Sequence, residues 1–272
     1  MTAITIGHSV REELAGCLES LREHAGVPVQ AILVDNASTD GTVGWVRDAY
    51  PEAEVVELTE NVWCAARNSA MPRARAPYTL FLDSDARLTG GALPAMLDAL
   101  ERHPAWGMVA PRLVYPDGTL QLSSRRFPPR LLPFMRRPPL GRFLEHSTPV
   151  SRYLMRDADH GKSRPILYAL GACLLFRTGV ARSLGPLDHL IALGGCDDID
   201  WGVRFWLTGH EVHSLPEATV IHDYRRASSQ RPLSRGAWHH LRAFARVQWK
   251  HRRRRRELLR LCEELDRRAA VP

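Results

Sequence analysis

Cysteine is sparse and shows no pairing pattern. The five residues Cys17, Cys64, Cys173, Cys196 and Cys262 are scattered, odd in number and never spaced as CxxC. That argues against a disulfide framework and against a cysteine zinc site, and it fits a reducing cytosol. Long apolar runs are missing too. The longest, YALGACLLF from Tyr168 to Phe176, is far shorter than the roughly 20 residues that cross a bilayer, so any membrane contact is expected to be peripheral. The chain does not open with a basic head and an apolar segment, so no signal peptide is expected. Internal repeats, zinc-finger spacings and RNP-like patterns are also lacking.

What is present is ordinary for a soluble globular chain. The 272 residues are 44% hydrophobic and 25% charged, enough for a sizeable core. The formal net charge of +7 points to acidic partners: nucleotides, phosphates, anionic lipid or nucleic acid.

The first hundred residues alternate. Ala3–Gly7, Val29–Asp35, Ala53–Leu58 and Tyr78–Asp83 read as buried strands. Glu12–His24, with Leu14, Cys17, Leu18 and Leu21 on one stripe, reads as a helix. So do Thr42–Tyr50, Trp63–Ala70 and part of Leu88–His103. Hydrophobic strands alternating with helices imply a parallel sheet covered on both faces, with ligands at the carboxyl ends of the strands. Asp35 and Asp83 end strands and should share one rim. After Trp106 the pattern changes. Two short strands flank the turn Pro116-Asp117-Gly118, and an Arg- and Pro-rich stretch over 125–165 reads as a long, partly mobile connection. Strands resume through ILYALGACLLFR, and a helix runs through DDIDWGVRFWLTGH to Gly209. HEVHSLP and ATVIHD read as two short strands, and from Leu233 the chain reads as basic helix, with HRRRRR at 251–256.

Three stretches and one histidine carry candidate chemistry. Asp83-Ser84-Asp85 closes an apolar strand. It is either a turn in which aspartate bonds nearby backbone N–H groups, or a site where a divalent cation between the carboxylates and a diphosphate relieves their repulsion. In VDNASTDGT, Asp35 ends a strand before small hydroxyl residues and Asp-Gly; this is a loop and helix cap, or a carboxylate that accepts hydrogen bonds from a base or ribose. In GGCDDIDWGVR, Asp197, Asp198 and Asp200 sit at a helix start, either as ordinary N-terminal acids or as the source of a general base. His222 ends ATVIH, as a structural imidazole or as a metal ligand.

Together these segments resemble the family 2 glycosyltransferases, of GT-A fold. The resemblance covers roughly residues 1–230 and rests on VDNASTDGT, ENVWCAARN, LFLDSDARL, RLVYPDGTLQLSSRRFP, RYLMRDADHGKSRPILYALGACLLFR and DDIDWGVRFWLTGHEVHSLPEATVIH. The middle segments look most like the branch of bacterial rhamnosyltransferases of surface polysaccharide assembly. The resemblance implies an α/β fold, a mixed and mainly parallel sheet with helices on both faces. It implies a catalytic domain over 1–230, divided into a nucleotide-sugar half (1–110) and an acceptor half (111–230), followed by a basic helical tail over 231–272. It places Asp35, Asn36, Asn61, Arg67, Asp83, Ser84 and Asp85 at the nucleotide sugar. Asp85 and His222 would ligate Mn²⁺ or Mg²⁺. Asp198 would be the general base of an inverting displacement, with Asp197, Trp201, Gly171 and Ala172 at the acceptor. The donor implied is dTDP-rhamnose, with a UDP-sugar as the alternative. The acceptor is a glycan, a lipid-linked sugar or a small natural product.

The chain departs from the family at Gly7-His8-Ser9, where Thr-Tyr-Asn is frequent, and at Trp63, where glycine is usual. Asp197 stands where glutamate is common. Many relatives carry Asn-Pro-Asp in place of Asp83-Ser84-Asp85, which marks Asp85 as the indispensable acid. Two other readings compete. A haloacid-dehalogenase-like phosphatase also uses DxD, but expects Thr or Val where Arg87 stands. A nucleic-acid-binding module rests on charge alone, and no nucleic acid is expected as partner. The arginine run suits either a solvated helix packed on the domain or a contact with anionic lipid at the inner face of a membrane.

Overall fold

The computed structural model describes residues 1–136, 141–223 and 234–270. The first half is a run of strand–helix units: β1 (Thr2–Gly7), α1 (Arg11–His24), β2 (Gln30–Asp35), α2 (Thr42–Ala49) and β3 (Glu54–Glu57). A 3-10 turn (Trp63–Ala66) leads into α3 (Arg67–Ala70), then β4 (Tyr78–Leu82), β5 (Ala86–Leu88), α4 (Ala92–Arg102) and β6 (Trp106–Val114). β2 and β4 are apolar through their centres because both faces are covered. Leu80, Leu82, Leu93 and Met96 fill one side of the sheet, while Ile4, Phe81, Phe176 and Trp201 fill the other.

The second half is less regular. It comprises β7 (Leu120–Gln121), β8 (Ser124–Arg125), α5 (Leu132–Met135), α6 (Gly141–Leu144), α7 (Thr148–Tyr153), β9 (Arg164–Pro165), β10 (Tyr168–Ala169) and β11 (Cys173–Arg177). Then come α8 (Thr178–Leu184), α9 (His189–Ala192), α10 (Asp197–Leu207), β12 (Glu211–His222), α11 (Arg235–Lys250) and α12 (Arg255–Ala270). The main sheet runs β3-β2-β1-β4-β11-β6-β12-β5. Pairing is parallel among β1 to β4 and between β6 and β12; β11 and β5 are antiparallel to their neighbours.

Four expectations change. The 125–165 stretch is not a bare connection: Phe127, Leu132, Val150, Tyr153 and Leu154 are buried in a core shared with α10 and the tail. Their burial is spread over separate short elements, so it leaves no single period along the chain. HEVHSLP and ATVIHD form one strand, whose register slips between Leu215 and Thr219. Pro216 there has no N–H to give a ladder, so the strand bulges instead of ending. β5 was not expected, and it pairs with the end of β12. The basic tail is two helices, broken at 251–254, and Phe244, Val247, Leu258 and Cys262 bury their faces against α10 and the 127–154 segment. Two glycines permit this packing. A side chain on Gly202 would strike Tyr168 of β10, and one on Gly194 would strike Ala243 and the carbonyl of His239 in α11. The boundary expected at 230 lies outside the described residues.

Candidate active site

The carboxyl ends of three strands meet on one rim. β2 ends at Asp35, opposite Gly7 of β1. β4 ends just before Asp83, whose N–H donates to the carbonyl of Ala172 at 2.8 Å. β5 pairs antiparallel with β12 so that His222 lies opposite Ala86, and the N–H of Asp223 donates to the carbonyl of Asp85 at 3.0 Å. That three-residue pairing carries His222 to the second aspartate of the pair. One donor atom each from Asp83, Asp85 and His222 lies within 4.8 Å of the other two. His222 Nε2 is 3.4 Å from Asp85 Oδ1.

The tautomer of His222 is set from behind. Its Nδ1 is 2.6 Å from the Oε1 of Gln121, and Gln121 Nε2 faces the His222 carbonyl at 3.4 Å. An amide oxygen only accepts, so Nδ1 carries the proton and Nε2 is turned to the carboxylates. Two carboxylate oxygens and an imidazole nitrogen are a donor set that fits Mn²⁺ or Mg²⁺ with room for phosphate oxygens.

Arg67 was expected to line the diphosphate pocket. It lies below the rim instead, 3% exposed. Nη2 donates to Asp83 Oδ1 at 2.5 Å and to the carbonyl of Gly171 at 3.0 Å, and Nη1 donates to Asp197 Oδ2 at 3.0 Å. Its guanidinium stands 4.7 Å from the centre of the Phe81 ring. Removing this cation from water is costly, and the two carboxylates compensate. They also hold its proton more tightly than usual. The residue therefore braces two acids and does not face the cleft. Asp197, expected at the acceptor, is the far end of this brace and is buried.

Trp201 is a second correction. It is 2% exposed and stacks on Phe81 with ring centroids 5.0 Å apart, so it is core and not an acceptor platform. Gly171 and Ala172 lend their carbonyls to Arg67 and Asp83, and the side chain of Ala172 is buried. Asn36 is likewise consumed by the fold: its amide donates to the carbonyl of Trp63 at 3.1 Å and accepts from the N–H of Val62 at 2.9 Å. Asn61 Oδ1 accepts from the N–H of Trp63 at 2.9 Å. Trp63 itself adopts φ +53°, the left-handed region where glycine is favoured, with its ring against Gly236. Ser84 sits half-buried in the turn between the two aspartates. Asp35 is different. Its Oδ2 accepts from the N–H of Ser38 at 3.0 Å, while Oδ1 is buried with no partner among the described residues. A buried carboxylate oxygen left unpaired marks a place where a ligand donor belongs.

The acid at the start of α10 faces a separate cleft of about 370 Å³. Asp198 borders it together with Gln121, Arg125, Tyr153 and Tyr168. Burial, and then the neighbouring charge of Asp197, push its carboxyl up to about 8. A carboxylate with that affinity takes a proton from a hydroxyl more readily than an ordinary aspartate. The third acid, Asp200, points the other way. Its Oδ1 accepts from His251 Nε2 and its Oδ2 from Lys250 Nζ, both at 2.8 Å, which fastens α10 to the tail. Gln121, Arg125, Tyr153 and Tyr168 were not singled out from the sequence. Only Gln121, three residues beyond the Asp-Gly turn, had a local marker; the tyrosines, paired through their hydroxyls at 2.8 Å, had none.

Comparison with known proteins agrees with this geometry. The family model "Glycosyl transferase family 2" matches residues 2–185. A curated relative from Mycobacterium tuberculosis, N-acetylglucosaminyl-diphospho-decaprenol L-rhamnosyltransferase, is 26% identical over 252 residues, covering 88% of this chain and 81% of the relative. Among solved structures, GalNAc-T7 with UDP, GalNAc and Mn²⁺ superposes with a TM-score of 0.67 at 13% identity, over 91% of this chain and 48% of that one. The mannosyltransferase PcManGT from Pyrobaculum calidifontis, in complex with GDP-Man and Mn²⁺, superposes with 0.61 at 20% identity, over 90% of this chain and 63% of that one. This chain thus spans less than two thirds of either solved neighbour, and their likeness establishes the GT-A fold. With the family model covering well over half of its length, the chain belongs to glycosyl transferase family 2 and is a glycosyltransferase.

Proposed function

We propose that the protein is a metal-dependent, inverting transferase that moves rhamnose from dTDP-rhamnose to a hydroxyl of a lipid-linked glycan during cell-surface glycan assembly. The observation that carries the reading is the separation of two acid centres: Asp83, Asp85 and His222 converge on the strand rim, while Asp198 stands apart in the adjoining cleft. The M. tuberculosis relative, matched over 81% of its length, supports the choice of sugar.

In this reading Asp35 accepts a hydrogen bond from the base or ribose through its unpartnered Oδ1. Asp85 and His222, with Asp83 beside them, hold the cation. When bound, the cation supplies positive charge to the departing diphosphate. Arg67 holds Asp83 and Asp197 in register and so fixes the spacing between donor and acceptor sites. Asp198 takes the proton of the acceptor hydroxyl as its oxygen bonds to the anomeric carbon and the carbon–phosphate-oxygen bond breaks. One in-line displacement inverts that carbon.

Transfer assays with dTDP-rhamnose and a panel of UDP-sugars, each with Mn²⁺, Mg²⁺ or EDTA, test this. The reading expects turnover with dTDP-rhamnose, dependence on the metal and an inverted product anomer. Turnover with a UDP-sugar alone would replace the donor, and a retained anomer would remove the mechanism.

In the same reading the protein works at the cytoplasmic face of a membrane. No helix among the described residues is long and apolar enough to cross one. Arg252, Arg253 and Arg254 are exposed beside Trp249, and Arg252 stacks 4.2 Å from the centre of the Trp249 ring. Such a basic and aromatic patch suits an anionic lipid surface. Deleting the tail would strip Leu258 and Cys262 from the core, so charge reversal at Arg252, Arg253 and Arg254 is the cleaner probe. Vesicle flotation should be lost in that variant; unchanged flotation would end the placement.

A further inference from the structure

Arg125 is a buried cation with no ion-pair partner among the described residues. It is 5% exposed, fixed in β8 by pairing with Tyr168 of β10. Its Nη1 donates to the carbonyl of Ser124 at 2.8 Å, and its Nε is buried with no partner among the described residues. Among the described residues its guanidinium makes no ion pair, unlike the equally buried Arg67 with its two carboxylates. It lies 5.6 Å from the centre of the Tyr153 ring and borders the same cleft as Asp198. Asp198 is close enough for Arg125 to lower its carboxyl, yet among the described residues the two form no ion pair, and burial with the charge of Asp197 raises that carboxyl to about 8. An unpaired charge held out of water is costly, and such a group persists where a ligand of opposite sign completes it.

The remaining charges of the cleft point the same way. Arg136 and Arg156 also border it. Among the described residues the one further carboxylate there is Glu145, 3.9 Å from Arg156 Nη2. Among the described residues the cleft is thus bordered by three guanidinium groups and by the acids Glu145 and Asp198.

We propose that this cleft reads an anionic acceptor: a sugar carrying a phosphate or diphosphate ester, whose oxygens are received by Arg125 with Arg136 and Arg156 beside it, while a hydroxyl of the same sugar lies at Asp198. The inference rests on the transferase reading for the hydroxyl, but the anion site stands on Arg125 alone. Guanidinium groups suit such esters because their planar forks give two parallel donors.

The test is calorimetric binding of inorganic pyrophosphate and of geranyl diphosphate to the full chain in EDTA, where metal-dependent donor binding is silent. Both should bind, and Arg125→Gln should weaken them about tenfold or more, the loss of one or two charge-assisted hydrogen bonds. Asp85→Ala should leave this binding unchanged. If Arg125→Gln does not fold, Arg136→Gln reads the same site with a smaller loss. Tighter binding of geranyl diphosphate assigns the ester to a lipid, and equal binding assigns it to a soluble sugar phosphate; both support the site. No binding in EDTA, equal affinity in folded Arg125→Gln, or loss in Asp85→Ala would overturn it. Nucleoside diphosphate binding with Mn²⁺, measured on the same protein, reports separately on the donor reading.

Discussion

The two halves of the catalytic domain place their chemistry by different means. In the donor half the acids sit where strands stop, so backbone register fixes them: Asp35 ends β2 and Asp83 follows β4. In the acceptor half the groups come from segments far apart in the chain. Arg125 is on β8, Tyr153 ends α7, Asp198 opens α10, and His251 of the tail holds that helix through Asp200. A rim built on parallel strands tolerates change in its loops, whereas a cleft built by packing depends on every layer behind it. Arg67 is the joint between the two, with one nitrogen on Asp83 and another on Asp197.

The comparison breaks if chemistry does not divide along this line. Asp198→Asn should cost about 10²- to 10⁴-fold in turnover, the usual value of a positioned base, with metal-dependent nucleoside diphosphate binding within about twofold of wild type. The same residue sets a pH limb. Its carboxyl is raised to about 8 in the fold, and only the ionised form accepts a proton. Turnover should therefore climb with pH and level off above about 8, and fold stability should fall as pH rises from the unfolded aspartate range towards 8. Asp198→Asn removes that fall, which urea titrations at pH 5 and pH 8 would register.

Arg67→Gln should act on both halves at once. It leaves Asp83 and Asp197 buried without their cation, a loss of about 3–5 kcal/mol in urea unfolding. A change under about 1 kcal/mol would mean that the joint bears no load. A smaller effect is expected from Gln121→Leu, which releases the Nδ1 proton of His222. Mn²⁺ affinity should drop about 10- to 100-fold, read by electron paramagnetic resonance, with the fold intact. Unchanged affinity would detach His222 from the ion.

The same division explains what the sequence disclosed. Alternating strands and helices to Trp106 were legible because each element carries its own pattern, and Asp35, Asp83 and Asp85 came with the strand ends. β5 has three residues, too few for any period. β12 was split by Pro216, whose bulge is visible only against β6. Trp201 was misplaced because α10 is buried on most sides, so the spacing of its apolar residues names no open face. Arg67 was assigned to phosphate because a sequence cannot say which acids a guanidinium will meet across 130 residues. Gln121 and Arg125 gave the weakest signals, since their meaning lies in a ring nitrogen and in an unfilled space.

The division of labour is tested most directly by titrating dTDP into wild type, Asp85→Ala and Asp198→Asn, each with and without Mn²⁺. Binding that requires Mn²⁺ in wild type and Asp198→Asn, and that vanishes in Asp85→Ala, is the predicted result. Equal binding with and without the metal in wild type, or loss of binding in Asp198→Asn, would contradict it.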